Sequence, residues 1–407
     1  MAAKIPFHNP RPRLPRPSPR IDVLVAGAGP AGIAAVGNLL ELLGESRIAW
    51  VDPAFLGGRI QDYYRAGQSN TPVNFFLDYA LALEPFRNIA ESTPAPNALT
   101  ALQDLNPNDP CNFGMIGDML RMLTDGLFNH DRVIAVPGRV CSANWNRDNS
   151  EWNMRVDDRG GSVFIEVPLV IYCTGASPTR VPLPLSLPRQ PLTLNLDTAL
   201  NPLSIRATLP RNRNICVGVV GTSCSAIHVL MNLVWLRMNW HALLSVRWFT
   251  RSKNLNYAQH KGDFIRFDKP GLDGLPAQWA RENLEVENFP DTHVGNIVTR
   301  VDCSGGTDQE RQVYVQEMAA CDRIVQAIGY TRHPLPLEHE SLLFNNRTGG
   351  FLEPLTNTPV PGLYGAGMGF PQRVAEPTGN VDSPVGFSFM RFLQKTMPVW
   401  IEETFEF

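Results

Sequence analysis

The chain is 407 residues long, more than one ordinary core holds, and two or three domains are expected. Apolar residues make up 43 %, as in a globular protein, and the net charge of −3 leaves no polyanion-binding footprint, so nucleic acid is not an expected partner. The seven cysteines (Cys111, Cys141, Cys173, Cys216, Cys224, Cys303, Cys321) include no C-x-x-C pair, which points to reduced thiols in a cytoplasmic protein rather than to a metal site or a redox dithiol.

Residues 1–20 alternate prolines with arginines and lack the apolar core of a secretion signal, so a disordered or surface-draped arm is expected. From Asp22 the pattern changes. Val23-Leu24-Val25-Ala26 reads as a strand, Gly27-Ala28-Gly29-Pro30-Ala31-Gly32 as a glycine turn opening a helix that stops by Gly44, and Ile48–Asp52 as a second strand. Gly27 makes the tight turn, Gly29 admits a pyrophosphate, Gly32 allows close helix packing, and Pro30 suits the first helical turn. The unpaired N–H groups at the helix start face the phosphates, and Asp52, twenty positions beyond Gly32, is placed to accept ribose hydroxyls. The plainer alternative is a βαβ unit without a ligand.

Residues 53–112 show no sustained periodicity until Phe75–Leu83 and carry Gly57-Gly58-Arg59 and Ser69-Asn70-Thr71-Pro72. A helix is expected over Met115–Phe128, then strands over Arg139–Ala143, Trp152–Val156 and one run from Val163 through Tyr172, which ends in Cys173-Thr174-Gly175. The proline-rich stretch 177–213 marks a crossing between domains.

The pattern restarts at Ile215–Val220, with Gly221-Thr222-Ser223-Cys224-Ser225-Ala226 and a helix to Met238. Ser223 takes the middle glycine position and Ala226 the third; small side chains still admit a pyrophosphate, and the hydroxyls of Thr222, Ser223 and Ser225 can bond to it. The next strand, Leu244–Phe249, ends in Thr250-Arg251-Ser252-Lys253 with no acid at its tip. Arg251 and Lys253 suit a ribose 2′-phosphate and favour NADPH over NADH; a solvated basic turn is the alternative. The polar stretch Asn254–Gly274 is a cap or, more simply, a solvated loop. Asp322–Tyr330 repeats the strand-and-turn pattern, so Cys173-Thr174-Gly175 and Ala327-Ile328-Gly329 mark where the chain leaves and re-enters the first domain. Beyond Gly365-Ala366-Gly367-Met368, Asp382-Ser383-Pro384 is expected to cap a helix through Leu393, with Gly386 in its first turn and a start suited to a partial negative charge. His228, His260 and His333 are expected to be structural or surface residues, and Cys224 a packing residue. Ala226–Val246 holds polar residues enough to be a buried helix and strand rather than a membrane span.

This order of signals, from about Ile21 to Gln394, resembles the two-dinucleotide-binding-domain flavoproteins, and most of all the class B flavin-dependent monooxygenases. The resemblance implies an α/β chain with two Rossmann-like domains, the NADPH domain (206–329) inserted into the FAD domain (21–205 and 330–407). It implies FAD at Gly27–Gly32, Asp52-Pro53 and Gly57-Gly58-Arg59, with Val140 and Trp152 in a hairpin near the adenine. Arg251-Ser252 would read the NADPH phosphate, and the Ser383 end would suit the pyrimidine edge of a reduced flavin. Asn70 falls where flavin-containing monooxygenases hold an asparagine beside the flavin, although a turn asparagine bonded to its own backbone reads equally well. The implied chemistry is hydride transfer from NADPH to FAD, reaction with O₂ to a C4a-(hydro)peroxide, and oxygen transfer to a small organic substrate, secondary metabolites among them. A homodimer is the candidate assembly. The chain departs from its relatives in having Met368 where many carry an aspartate, Ile328 for a threonine, and no Baeyer–Villiger fingerprint. An FAD oxidase, dehydrogenase or isomerase on the same scaffold is the alternative activity, and a non-enzymatic flavin-bound partner protein the third. Substrate-lining residues are expected from the irregular regions 60–112 and 254–296.

Overall fold

Val23–Ala26 (β1) is buried at all four positions, as a parallel strand covered on both faces must be. In the computed structural model, which describes residues 20–405 apart from 159, 185, 262–263, 267–270, 286, 288, 338–341, 376–380 and 385–388, β1 feeds α1 (Pro30–Leu42) and then β2 (Ile48–Asp52). The arm expected over 1–20 lies outside the described residues except for Arg20. β1 sits inside a seven-stranded sheet in the order Leu343–Phe344, Gly350–Leu352, Pro359–Gly365, Leu169–Tyr172, β1, β2, Val133–Pro137. The last five of these are parallel and wind in opposite directions on either side of the boundary between β1 and Leu169–Tyr172. Val23, Val25 and Trp50 face one core, shared with α1 and the helices Phe113–Phe128 and Phe389–Phe405. Leu24, Ala26 and Val51 face another, under the antiparallel sheet Arg139–Asn146, Glu151–Asp158 and Gly161–Val167.

The second sheet repeats this plan. Its strands are β3 (Leu192–Leu194), β4 (Ile215–Val220), β5 (Leu244–Thr250), β6 (Val298–Asp302) and β7 (Arg323–Gln326), all parallel, in the order β3-β7-β4-β5-β6. Helices α2 (Leu196–Leu200), α3 (Cys224–Asn239) and α4 (Gly274–Asn283) pack with it around one apolar core, and α5 (Thr307–Met318) covers a smaller cluster at Met318 and Ile324. Every strand of this sheet lies in the chain between Leu169–Tyr172 and Pro359–Gly365. The short antiparallel pair Ala176–Pro178 and Tyr330–Arg332 joins the outgoing and returning chain. Residues 192–205, read from sequence as the far side of a boundary at 206, supply β3, α2 and the core residues Leu196, Ala199 and Ile205 of this second unit.

Three local readings are corrected. The run expected from Val163 through Tyr172 is two strands, because Pro168 has no N–H for the ladder and the chain changes sheets there. Residues 60–112, read as largely irregular, form the helices Val73–Leu81, Glu84–Ser92 and Ala98–Gln103, which bury Phe76, Tyr79, Phe86, Leu99 and Leu102 against the first core. Their short lengths hide a helical period. The stretch Val381–Pro384, expected to cap a helix at Asp382-Ser383, is a strand paired with Phe264–Arg266, and the described helix starts at Phe389. A partner more than a hundred residues away overrides a local capping preference. Gly386, Asp263, Asp268 and Lys269 lie outside the described residues.

Two candidate nucleotide-binding turns

Each sheet places a glycine turn at the carboxyl end of one strand, β1 in the first and β4 in the second, beside the point where the winding reverses, which is where open α/β sheets take ligands. Gly27 has φ +111° and Gly221 φ +122°, a region that favours glycine. A Cβ on Gly27 would lie 2.4 Å from the Cys173 oxygen, and one on Gly221 would lie 2.3 Å from the Ala327 oxygen. Cys173-Thr174-Gly175 and Ala327-Ile328-Gly329 are thus the crossing strands' ends pressed against the two turns. His333 braces the first crossing, its ring nitrogens lying 2.8 Å from the Thr174 oxygen and 2.6 Å from Ser177 Oγ.

At the first turn Gly32 is locked by packing, since a Cβ there would fall 1.8 Å from the Gly27 oxygen. Gly29 is not: its added Cβ would meet only the Gly58 Cα, at 3.9 Å. Gly29 also caps α1, and among the described residues no side chain accepts from the first-turn N–H groups. Glycines approach this helix end closely, Gly58 against Gly29 and Gly367 against Ala31. The result is an uncapped helix start walled by glycines, the arrangement that receives a phosphate. Asp52 at the tip of β2 is held in place by the N–H groups of Ala28, Ala54 and Phe55, each at 2.8 Å. The Arg59 guanidinium pairs with Asp197 of α2, to which the Tyr64 hydroxyl also donates at 2.9 Å. Met368 is 65 % exposed beside this cradle.

The second turn matches the first in register, Ser223 standing where Gly29 does and Ala226 where Gly32 does, but its helix end is already occupied. Ser223 Oγ accepts from the Ala226 N–H at 3.5 Å and donates to the Ala327 oxygen at 3.2 Å. Next to it is a cavity of about 470 Å³ lined by Gly221, Thr222, Ser223, Arg251, Tyr314 and Gln326, with an apolar wall from Val181–Leu183, Phe249 and Met318. Its size suits part of a dinucleotide. Arg251 reaches Glu310 of α5 through Nε at 2.8 Å, so the tip that has no acid in the sequence acquires one in the fold. Arg300 donates to the carbonyls of Ser252 and Lys253 and fixes the basic loop. Cys224 is half-buried and burial pushes its thiol pKa up, which suits packing rather than nucleophilic attack.

Asn70 lies on the strand Gln68–Pro72 between the units, and a Cβ on Gly274 at the start of α4 would sit 2.7 Å from the Asn70 Cβ. The local turn bond is made by its neighbour, Ser69 Oγ donating to the Thr71 oxygen at 2.6 Å. Val140 pairs with Val156, and Trp152 donates Nε1–H to the Pro361 oxygen, both in the cover sheet over the second face of the first core. Ser383 is in the strand paired with Phe264–Arg266, away from any described helix start.

Two tryptophans escaped the sequence reading. Trp50 of β2 donates Nε1–H to the Gly27 oxygen at 2.9 Å, and Trp248 of β5 does the same to the Gly221 oxygen at 2.8 Å. Both stand two residues before the end of the strand that follows the turn-opening helix, a repeat visible in the sequence once the two turns are aligned. Glu310 and Asp197 had no such signal. Among the described residues no group of three or more His, Cys, Asp or Glu is placed to hold a metal ion, and no helix is long and apolar enough to cross a membrane.

No protein-family model matches the chain. It is 40 % identical over 389 residues, 93 % of its length and 97 % of the relative's, to the monooxygenase AgnR1 of Paecilomyces divaricatus. Among solved structures it is similar to the ornithine N-hydroxylase of Kutzneria sp. 744, described with reduced FAD, NADP⁺ and L-ornithine, with TM-score 0.58 and 15 % identity over 94 % of this chain and 99 % of that one. It is also similar to a flavin-containing monooxygenase from Stenotrophomonas maltophilia, with TM-score 0.52 and 16 % identity over the same shares of the two chains. At these identities the solved structures establish the fold.

Proposed function

Because the chain belongs to the monooxygenase family that includes AgnR1, we propose that it is an FAD-dependent, NADPH-using monooxygenase acting on a small organic substrate. Bound FAD and NADPH would supply the electrons with which one atom of O₂ passes to the substrate and the other leaves as water. The remaining work belongs to the protein. The Gly27–Gly32 turn and the free N–H groups of α1 would hold the FAD pyrophosphate, with Gly58 and Gly367 leaving room for it and Asp52 facing the ribose. The cavity between Gly221 and Arg251 would hold the adenosine end of NADPH, with Arg251 and Lys253 toward its 2′-phosphate. Asn70, set between the two units, is the side chain proposed to hydrogen-bond the reacting oxygen. We assign the FAD unit to the first sheet and the NADPH unit to the second with its 192–205 lead-in. A cytoplasmic setting is proposed on the seven free thiols.

The observation that carries this reading is Gly29. Packing does not require a glycine there, whereas a phosphate against the helix end does. Gly29→Ala should therefore keep the fold and lose the flavin. The test is to denature purified wild type and variant and quantify the flavin released, by absorbance and chromatography against FAD. Near-stoichiometric FAD from the wild type with strong loss in the variant supports the assignment. A colourless wild type that does not take up added FAD ends it.

A further inference from the structure

Arg251, just beyond the end of β5, is the charged side chain lining the cavity among the described residues, and it is 75 % exposed, a long flexible group with much rotamer freedom to lose on binding an anion. One partner limits that freedom. Glu310, in the first turn of α5, is 9 % exposed and lies behind Arg251, accepting from its Nε at 2.8 Å and from the Tyr314 hydroxyl at 2.5 Å. Tyr314 itself lines the cavity beside Arg251. The Nε contact takes one edge of the guanidinium. Among the described residues Glu310 is its ion-pair partner and Tyr314 its other side-chain contact, and the largely exposed guanidinium keeps an edge that can meet a phosphate bidentately. Glu310 does not line the cavity, so it does not itself face the ribose and acts through Arg251.

We infer that Glu310 is a positioning residue that pre-sets Arg251 for a 2′-phosphate and thereby determines the preference for NADPH over NADH, a conclusion that rests on the proposed nucleotide cavity. The carboxylate is already stabilised by Tyr314 and by the positive end of α5, so holding Arg251 does not depend on the ligand being present.

Calorimetric titration of the flavin-loaded full chain with 2′,5′-ADP and, separately, 5′-AMP tests this without relying on turnover. Wild type should bind 2′,5′-ADP more tightly. Glu310→Ala should weaken 2′,5′-ADP roughly tenfold, the scale of freeing one charged, rotamer-rich side chain, and shift 5′-AMP by less than about twofold. Glu310→Gln keeps an acceptor for both Arg251 and Tyr314 and should stay within about threefold of wild type for each probe. In an Arg251→Ala background, adding Glu310→Ala should cost nothing further. Equal weakening of both probes in Glu310→Ala, or of neither, overturns the inference while leaving the cavity assignment intact. A wild type that does not distinguish the two probes, or binds neither, overturns the cavity assignment and the inference with it.

Discussion

Gly29 and Gly32 stand three residues apart and answer to different constraints, which makes them separable by substitution. At Gly29, φ −81° is open to alanine, so Gly29→Ala should leave the flavin-free protein as stable as wild type or firmer by about 0.5 kcal/mol, with all the damage in flavin retention. Gly32→Ala drives a methyl into the Gly27 carbonyl and should destabilise the chain itself by about 3 kcal/mol or more, seen in denaturant unfolding. His228 offers a second single-residue test. It lies on α3 at four-residue spacing from Cys224 and Asn232, and its Nε2 is buried without a hydrogen-bond partner among the described residues. Burial pushes its pKa from 6.5 down to about 4. Between those values the unfolded chain binds the proton and the folded chain does not. The stability linked to His228 is therefore full above about pH 6.5 and declines by about 3 kcal/mol as pH falls toward 4. His228→Leu should flatten that part of the stability–pH curve, and an unchanged slope counts against a buried neutral imidazole. For Asn70, replacement by alanine should raise the share of oxidised NADPH that ends as H₂O₂ rather than product. Unchanged coupling would remove Asn70 from the chemistry.

The two turn-bearing units carry the same brace built from different sequence. Trp50 and Trp248 each hold the carbonyl of the glycine that starts the turn, and the strands that bear them lead to residues of opposite charge, Asp52 at the end of β2 and Arg251 just past the end of β5. Trp248→Phe removes one buried hydrogen bond and should cost about 1 kcal/mol while loosening nucleotide binding at the second cavity more than flavin binding at the first. Helix α2 supplies the other element-level contact. Asp197, 5 % exposed, accepts from Arg59 and Tyr64 across the boundary between units, so Asp197→Ala strands a half-buried guanidinium and should lower stability by about 3 kcal/mol in denaturant unfolding. The first strand–turn–helix–strand was legible because its period, glycines, proline and terminal acid all agree locally. The cap expected at Asp382-Ser383-Pro384 was not, because its backbone pairs with Phe264–Arg266, and pairing across that distance leaves no mark in either segment.

For the whole molecule the expectation is a yellow protein whose flavin is bleached by NADPH in anaerobic stopped flow and recovers on admitting O₂. Bleaching by a substrate without NADPH would instead select the oxidase or dehydrogenase alternative. The α/β architecture and the paired turns at Gly27 and Gly221 were determined by the sequence alone, since strand period, glycine geometry and helix starts are set by neighbours a few residues apart. Only the tertiary structure decided which groups those turns would meet: that 192–205 packs with the second unit, that Arg59 is claimed by Asp197, and that the basic tip at Arg251 has Glu310 behind it. Those contacts depend on how helices dock on sheets, and residues so far apart in the chain, 59 positions for Arg251 and Glu310 and 138 for Arg59 and Asp197, share no local rule that would bring them together.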